Sequence, residues 1–245
     1  MSEPKQHNLI VGCVGVKGSG KSHKLREMIP FAPRAVVVDP AMDHFDYIPN
    51  KFRKPEEVFT FLEWSKGQKS FACAYCPEEP LGERVADVVP ALLERGNLLV
   101  TIDEIPEVCD GGKVPKRIRY LIRVGRHAGI DIAYTGQRFA EIARTVTSQT
   151  DVFILFRQSE PLDLDGVAKR ISREIAERVK NLGPHEFIVY DVRKQNEVEF
   201  EATMFSPESK ARTLAHIERK NEELEDEEQE EEEAVRLERA NGMRD

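Results

Sequence analysis

The sequence contains no long apolar segment and no secretion signal. Among its 245 residues there is no run of about 18 apolar residues, the length that a membrane-spanning helix requires. The N-terminus, MSEPKQHN, has neither the basic segment nor the apolar core of a signal peptide. From these two absences we expect no transmembrane segment and predict a soluble, cytoplasmic protein.

Cysteines are also few: the sequence has Cys13, Cys73, Cys76 and Cys109. That number does not suggest the disulfide framework of a small secreted domain. Cys73 and Cys76 form a CxxC pair that could bind zinc with Cys109 or His127, but the second ligand pair of a typical zinc motif is missing. The stretch SFACAYCP alternates like a strand, which would place Cys73 and Tyr75 on one face and Cys76 on the other. We therefore favour a buried strand here.

Charge is distributed unevenly along the chain. The formal net charge is −8, and residues 221–245 alone carry 12 acidic and 3 basic side chains, a charge of −9. Subtraction leaves +1 for residues 1–220, so the body of the chain is nearly neutral. Ten carboxylates within 222–233 repel one another, which predicts a frayed helix or disorder there. We expect a folded domain over residues 1–205 and an acidic tail over residues 206–245.

Short apolar strands alternate with helical stretches over residues 9–156. The predicted strands are Leu9–Val14, Ala35–Asp39, Ser70–Tyr75, Leu98–Ile102, Ile130–Tyr134 and Val152–Phe156. The predicted helices are one that begins at Ser22 and those at Glu56–Trp64, Val85–Arg95, Lys116–Arg123 and Ala140–Thr147. Strands rich in Val, Ile and Leu that alternate with helices are typical of a parallel sheet with helices on both faces. The sequence therefore predicts an α/β fold.

Downstream of the last of these strands, the pattern changes. The stretch DLDGVAKRISREIAERVKNLGPHEF predicts two short helices that stop before Gly183 and Pro184. The stretch EFIVYDVRKQNEVEFEA then alternates apolar and polar residues on both sides of a polar RKQN turn. This alternation predicts an antiparallel hairpin at the edge of the sheet.

The stretch GVKGSGKS follows the first predicted strand and precedes a helix. It matches the phosphate-loop pattern GxxxxGK[ST] at every fixed position, in the context that the pattern requires. Its glycines let the backbone wrap a phosphate so that N–H groups and the helix N-terminus point at it. Lys21 would reach the β- and γ-phosphates, and the Ser22 hydroxyl would ligate Mg²⁺. The predicted nucleotide-binding residues are Gly15, Val16, Lys17, Gly18, Ser19, Gly20, Lys21 and Ser22.

A pair of carboxylates follows another predicted strand, in the stretch NLLVTIDEI. A parallel sheet presents residues at this end of a strand to its ligand crevice. Asp103 is predicted to hold Mg²⁺ through water, and Glu104 to orient and deprotonate an attacking water, which favours hydrolysis over transfer to another acceptor. The base-reading NKxD motif of GTPases is not matched, because the stretch NKFR at 50–53 lacks the Asp. We therefore expect an ATPase.

A basic segment comes directly after these carboxylates. Between Gly111 and Ile130 there is no acidic residue. If the segment is helical, a basic stripe forms at positions i, i+3, i+7 and i+10, and Ile118, Leu121 and Ile122 face the sheet. The stripe consists of Lys116, Arg119, Arg123 and Arg126, of which the candidate DNA-binding residues are Lys116, Arg119 and Arg123. Such a stripe is either a solvated face or a surface for the phosphates of DNA or of a neighbouring subunit's nucleotide.

Taken together, these motifs resemble the HerA/FtsK superfamily of P-loop ATPases. The resemblance covers residues 9–157 and rests on the phosphate loop, VVVDP, LLVTIDE, GRHAGIDIAYTGQR and DVFILFR. It implies a P-loop NTPase fold of the RecA-like (ASCE) type and a homo-oligomeric, usually hexameric, ring that moves double-stranded DNA. It also implies that Gln137 senses the γ-phosphate and that Arg126 is an arginine finger for the next subunit's site, with Arg123 as the alternative. A trans arginine accelerates phosphoryl transfer by about a thousand-fold or more.

Within the superfamily, the sequence resembles the genome-packaging ATPases of viruses with an internal membrane. Cellular members carry additional domains that are not matched here, and the phage assembly ATPases similar to zonula occludens toxin are typically followed by a transmembrane helix. The resemblance implies double-stranded DNA and a capsid vertex or portal protein as partners, in the host cytoplasm or at the virion. A phage assembly or secretion ATPase and a non-translocating, nucleotide-gated assembly protein are the alternatives. The acidic tail would dock a basic partner, mimic DNA or serve only solubility.

Overall fold

The computed structural model of the chain describes residues 8–40, 48–109 and 112–211. The chain divides into two units, one formed by Asn8–Ser206 and the other by Met1–His7 with Pro207–Asp245. Of the second unit, only residues 207–211 are described, so the acidic stretch, for which the sequence predicts a frayed helix or disorder, lies outside the described residues. The sheet and the candidate site belong to the unit Asn8–Ser206.

Among the described residues, nine strands form one sheet in the order β3-β4-β2-β5-β6-β1-β7-β8-β9. The strands are β1 (Ile10–Val14), β2 (Arg34–Val38), β3 (Asn50–Phe52), β4 (Phe71–Tyr75), β5 (Leu98–Ile102), β6 (Ile130–Gly136), β7 (Val152–Phe156), β8 (Phe187–Asp191) and β9 (Asn196–Glu197). Strands β1 to β7 pair in parallel, whereas β8 is antiparallel to β7 and β9 is antiparallel to β8. The predicted α/β fold with an antiparallel hairpin at one edge is confirmed.

Helices connect the strands and cover both faces of the sheet. They are α1 (Lys21–Met28), α2 (Pro55–Trp64), α3 (Leu81–Arg95), α4 (Ile105–Val108), α5 (Lys116–Val124), α6 (Arg144–Thr147), α7 (Pro161–Arg170) and α8 (Arg173–Lys180). The 15-residue α3 is amphipathic, because its buried residues Val85, Val88, Val89 and Leu92 recur at helical spacing. Among the residues that the structure describes, no helix is long and apolar enough to cross a membrane.

Alternate residues of each buried strand face opposite cores. Val36 of β2 packs in a core shared with α2, α3 and α5, whereas the next residue, Val37, packs in a core shared with α1. Cys73 and Tyr75 lie in the first core and Cys76 in the second, as the alternation of SFACAYCP predicts. Burial raises the pKa of the Cys73 thiol to about 12. Within the described part of the chain, no group of three or more His, Cys, Asp or Glu side chains could hold a metal ion.

The six predicted strands agree with β1, β2 and β4 to β7 to within two residues at either end, but other elements differ. The apolar pattern does not reveal β3, because this strand has only three residues and two of its side chains, Asn50 and Lys51, are polar and exposed. One continuous helix over Ala140–Thr147 is wrong, because a 3₁₀ turn at Phe139–Glu141 is separated from α6 by extended backbone. The buried Asp163 carboxylate accepts a hydrogen bond from the N–H of residue 140 (2.9 Å), which a local pattern does not reveal.

Candidate nucleotide site

The phosphate-loop stretch joins the end of β1 to the start of α1 and is tied to two neighbouring strands. The Gly15 N–H donates to the Gly136 carbonyl at the end of β6 (3.1 Å), and the Val16 N–H donates to the Arg157 carbonyl just beyond β7 (3.1 Å). A β-carbon on Gly15 would lie 2.4 Å from the β-carbon of Phe156, so only glycine fits this close approach. The loop is therefore held at its base from both sides of β1.

The tip of the loop is open to solvent. Val16, Lys17 and Gly18 are exposed, and an added β-carbon on Gly18 would have no atom within 4 Å. Gly20 precedes α1 with φ 105° and ψ 8°, in the left-handed region. Because α1 begins at Lys21, the unpaired N–H groups and the positive end of the helix dipole face the loop. An anion is the expected ligand of such a loop.

Lys21 lies inside the loop rather than in solvent. The residue is 6% exposed, and its ammonium group donates to the Val16 carbonyl (3.1 Å). Burial lowers the pKa of Lys21, and the nearby Glu104 and Asp103 carboxylates oppose this shift. The ammonium is thus placed within the predicted phosphate site, close to both predicted catalytic carboxylates.

Asp103 follows β5 directly and accepts two hydrogen bonds on one oxygen. The Ser22 hydroxyl donates to Asp103 Oδ1 (3.2 Å), and the Thr135 hydroxyl donates to the same atom (2.7 Å). The structure therefore brings together the two residues predicted to hold Mg²⁺. Hydroxyl and carboxylate oxygens are ligands that Mg²⁺ prefers, and water and nucleotide phosphates usually complete its shell, so this pair fits the ion.

Glu104 precedes α4 in a left-handed conformation, with φ 51° and ψ 65°, which is uncommon for a residue with a side chain. Its N–H donates to the Thr135 hydroxyl (2.8 Å), which fixes the backbone at this position. Burial raises the pKa of the Glu104 carboxyl, although Lys21 and hydrogen bonds from Gln137 lower it. The net result is a carboxylate that is more basic than a solvated one.

Gln137 follows the end of β6, and its polar groups lower the pKa of the Glu104 carboxyl. Its backbone is held in turn by Gln158, whose side-chain amide donates to the Gln137 carbonyl (3.2 Å). Gln158 is fully buried beyond the end of β7. The structure thus places Gln137 next to the predicted general base. Gln137 follows β6 and contacts the segment after β7, and both of these segments bind the phosphate loop through backbone carbonyls.

The predicted basic stripe lies only partly on one helix. The exposed basic residues of α5 include Lys116, Arg119 and Arg123, and its buried residues are Ile118, Leu121 and Ile122. Arg126 lies beyond α5, which ends at Val124, in a 3₁₀ turn, Gly125–Ala128, that precedes β6. Arg126 is exposed, and no hydrogen bond or ion pair among the described residues joins it or Arg123 to the phosphate loop.

Sequence patterns do not identify three residues that the structure places at this site, namely Thr135, Gln158 and His185. Thr135 lies two positions before Gln137 in the stretch AYTGQR, and this closeness in the sequence is a signal that could have identified it. His185 Nδ1 lies 3.3 Å from the Ser19 carbonyl, although the two residues are 166 positions apart. No local pattern links positions so distant.

No known family model and no curated protein sequence matches the chain, but solved structures do. The genome packaging NTPase B204 from Sulfolobus turreted icosahedral virus 2, in complex with sulfate, is 25% identical, with a TM-score of 0.66 over 78% of this chain and 95% of its own. B204, the DNA-packaging ATPase from Sulfolobus turreted icosahedral virus, is 25% identical, with a TM-score of 0.62 over 80% of this chain and 96% of its own. VirB4 of Thermoanaerobacter pseudethanolicus is 11% identical, with a TM-score of 0.55 over 82% of this chain and 91% of its own.

The similarity to these solved structures and the strand–loop–helix geometry at β1 indicate the same fold. B204 from Sulfolobus turreted icosahedral virus 2 has also been crystallised with AMP, AMPPCP and ATP-gammaS. Its similarity to this chain confirms the predicted P-loop NTPase fold. The structural neighbours of this chain are P-loop ATPases of the HerA/FtsK type, as the sequence resemblance implies, and the chain has their fold.

Proposed function

We propose that the chain binds ATP with Mg²⁺ and hydrolyses it. The observation that carries this proposal is a convergence of side chains beyond the carboxyl ends of the central strands β1 and β5. They are Lys21, the hydrogen-bonded pair Ser22 and Asp103, and Glu104. Phosphoryl transfer to water requires a group for each of these tasks: phosphate binding, metal binding and activation of the nucleophile. The complexes of B204 with AMPPCP and ATP-gammaS support ATP as the substrate.

The phosphate loop and α1 bind the nucleotide. The backbone N–H groups at the open tip of the loop and at the start of α1 donate to phosphate oxygens. The Lys21 ammonium exchanges the Val16 carbonyl for oxygens of the β- and γ-phosphates. Ser22 and, through water, Asp103 would hold Mg²⁺, which supplies positive charge opposite the phosphates.

Glu104 is the proposed general base. A water oxygen attacks the γ-phosphorus while its proton passes to the Glu104 carboxylate, and ADP leaves with the electrons of the broken bond. The raised pKa of Glu104 favours this transfer because a more basic carboxylate accepts the proton more readily. Gln137, whose polar groups influence the pKa of Glu104, is the proposed sensor of the γ-phosphate.

We further infer that the ATPase moves double-stranded DNA as a homo-oligomeric, hexameric ring that packages a viral genome. Two observations support this: the similarity to B204, and the exposed Lys116, Arg119 and Arg123 of α5, which suit a sequence-independent surface for DNA phosphates. Arg126 is the proposed trans arginine, with Arg123 as the alternative. The chain would act in the host cytoplasm or at a capsid vertex, where a portal protein is a further partner.

The test is steady-state ATP turnover across protein concentration, with and without long double-stranded DNA, for the wild type, Arg126→Ala and Arg123→Ala. Wild-type turnover per subunit should rise with concentration and with DNA. The variant that lacks the trans arginine should lose about a thousand-fold or more of this turnover and still bind nucleotide. If turnover is unaffected by DNA and by both arginine substitutions, the proposal of a DNA-translocating motor is wrong, and a nucleotide-gated assembly protein is favoured. If there is no turnover at all, the proposal of an ATPase is wrong.

A further inference from the structure

The turn that leads from α8 into β8 reaches the phosphate loop from outside the motifs of the site. This turn, Gly183–Glu186, is closed on itself, because the Gly183 N–H donates to Glu186 Oε2 (2.7 Å) and the Glu186 N–H donates to the Gly183 carbonyl (3.3 Å). His185 stands at its tip with φ 64°, in the left-handed region that non-glycine residues seldom occupy. A side chain is therefore kept at a position where glycine would be less strained.

The His185 ring contacts the loop at one defined atom. His185 Nδ1 lies 3.3 Å from the Ser19 carbonyl oxygen. Because a carbonyl only accepts, the imidazole must donate its Nδ1–H there. A β-carbon on Gly20 would lie 3.5 Å from the same nitrogen and 3.5 Å from the Phe156 ring, so the imidazole also packs against the outside of the loop.

The contact has a consequence for the inside of the loop. In a trans peptide the carbonyl of one residue and the N–H of the next point in opposite directions. A donor that holds the Ser19 carbonyl on the outside therefore directs the Gly20 N–H toward the inside, where a phosphate would lie. This N–H has no hydrogen-bond partner among the residues that the structure describes.

The chain around His185 is itself packed on α1. The Lys24 ammonium lies 4.8 Å from the centre of the Phe187 ring and 4.4 Å from that of Phe200, both beyond the turn. Phe187 also packs on Phe156, with ring centres 5.5 Å apart. These contacts hold the start of β8, and with it His185, in a fixed position next to the loop.

We propose that His185 is a positioning residue for the phosphate loop, which holds the Ser19–Gly20 peptide so that the Gly20 N–H donates to the bound phosphate. This inference rests on the proposed nucleotide binding. In this role His185 acts on the phosphates through the loop, and not through the base or the ribose. It therefore affects every ligand that carries a diphosphate or triphosphate to the same extent.

Two substitutions separate the hydrogen bond from the backbone conformation. His185→Gly keeps the left-handed backbone and removes the donor, whereas His185→Asn tolerates the same backbone and retains an N–H donor. Gln195→Gly is the matched control, because Gln195 has φ 54° in the turn between β8 and β9, away from the phosphate loop. Urea midpoints of all three variants check that the fold is kept.

The measurement is the Kd for a fluorescent ATP analogue, the competition constant of inorganic pyrophosphate, and KM and kcat for ATP. His185→Gly should weaken both ligands equally, by roughly two- to tenfold, the range for loss of one hydrogen bond, and raise KM with little change in kcat. His185→Asn should restore most of the affinity, and Gln195→Gly should match the wild type.

Two results would contradict the role of His185 and leave the proposed function intact. One is wild-type affinity in His185→Gly, and the other is weaker binding of the ATP analogue without weaker binding of pyrophosphate. The second result would indicate a direct contact with the base or ribose. If the wild type binds neither ligand, the proposed function fails together with the inference.

Discussion

Two helices begin next to the candidate site, and each is preceded by a residue in the left-handed region. Before α1 that residue is Gly20, with φ 105°, and before α4 it is Glu104, with φ 51°. Glycine adopts this conformation without steric strain, whereas a residue with a β-carbon is held there at a cost of about 1–3 kcal/mol. Under the proposed function, strain is thus retained where a side chain would act in catalysis and avoided where only the backbone would bind the ligand.

The surroundings of Gly20 and Glu104 also differ. The loop before α1 exposes Val16, Lys17 and Gly18, and its tip has room for a ligand. The backbone at Glu104 is instead fixed by a hydrogen bond to Thr135, next to a buried Asp103. One side of the candidate site is thus open to solvent, and the other is held by internal hydrogen bonds.

The largest expected effect concerns the side chain that is kept under strain. Glu104→Gln retains the shape of the residue but removes the proton acceptor, so ATP turnover should fall about 10²- to 10⁴-fold, the usual contribution of a general base. Affinity for a fluorescent ATP analogue should remain close to that of the wild type, because the phosphate loop is unchanged. Steady-state turnover and equilibrium binding measure the two quantities.

Glu107→Gln is the matched control for this prediction, since Glu107 is an exposed carboxylate on α4, three positions further on. It should retain wild-type turnover. Full turnover in Glu104→Gln would mean that the left-handed Glu104 serves no catalytic purpose.

A smaller effect is expected for the residue that carries no side chain. Gly20→Ala should lower the free energy of unfolding by about 1–3 kcal/mol, because φ 105° is a conformation that alanine rarely adopts. Urea denaturation of the nucleotide-free protein measures the change. Gly67→Ala is the control: Gly67 has no positive φ, its added β-carbon meets no atom within 4 Å, and the effect should stay below about 1 kcal/mol. Equal losses in both variants would contradict the role assigned to the left-handed backbone.

The smallest expected effect is the pH dependence that Glu104 contributes to stability. Burial raises the pKa of this carboxyl in the folded chain. The stability that the group contributes is therefore fully present below its ordinary pKa of about 4.3 and is lost as the pH rises through the raised pKa. Glu104→Gln, which resembles the protonated form, should therefore be slightly more stable than the wild type at about pH 8 and equally stable at about pH 4. Urea denaturation at both pH values measures the difference in the free energy of unfolding between Glu104→Gln and the wild type. An equal difference at both pH values would contradict the raised pKa.

Local patterns are sufficient for much of the fold and for the motif residues. The strand β1 and the loop that follows it form a short contiguous stretch, so apolar content and glycine spacing identify them directly. The same holds for β5 and the carboxylates Asp103 and Glu104, because a buried strand that ends in polar residues is visible in the sequence itself.

The contacts inside the site depend instead on the order of the strands. Thr135 reaches Asp103 because β6 lies beside β5, and Gln158 reaches Gln137 although 21 positions separate them. His185 meets the loop only because β8 returns antiparallel to β7. Strand order is a property of tertiary packing, so these partners were beyond the reach of periodicity and spacing.

The hydrogen bond from Gly15 to Gly136 has a mechanical consequence. Gly136 is the residue immediately before Gln137, so the start of the phosphate loop is attached to the neighbour of the proposed γ-phosphate sensor. A displacement of Gln137 on cleavage of the terminal phosphate would move Gly136 and, across this one bond, the loop that retains the nucleotide. Under the proposed function, this one hydrogen bond would link detection of cleavage to release of the product over a single peptide unit.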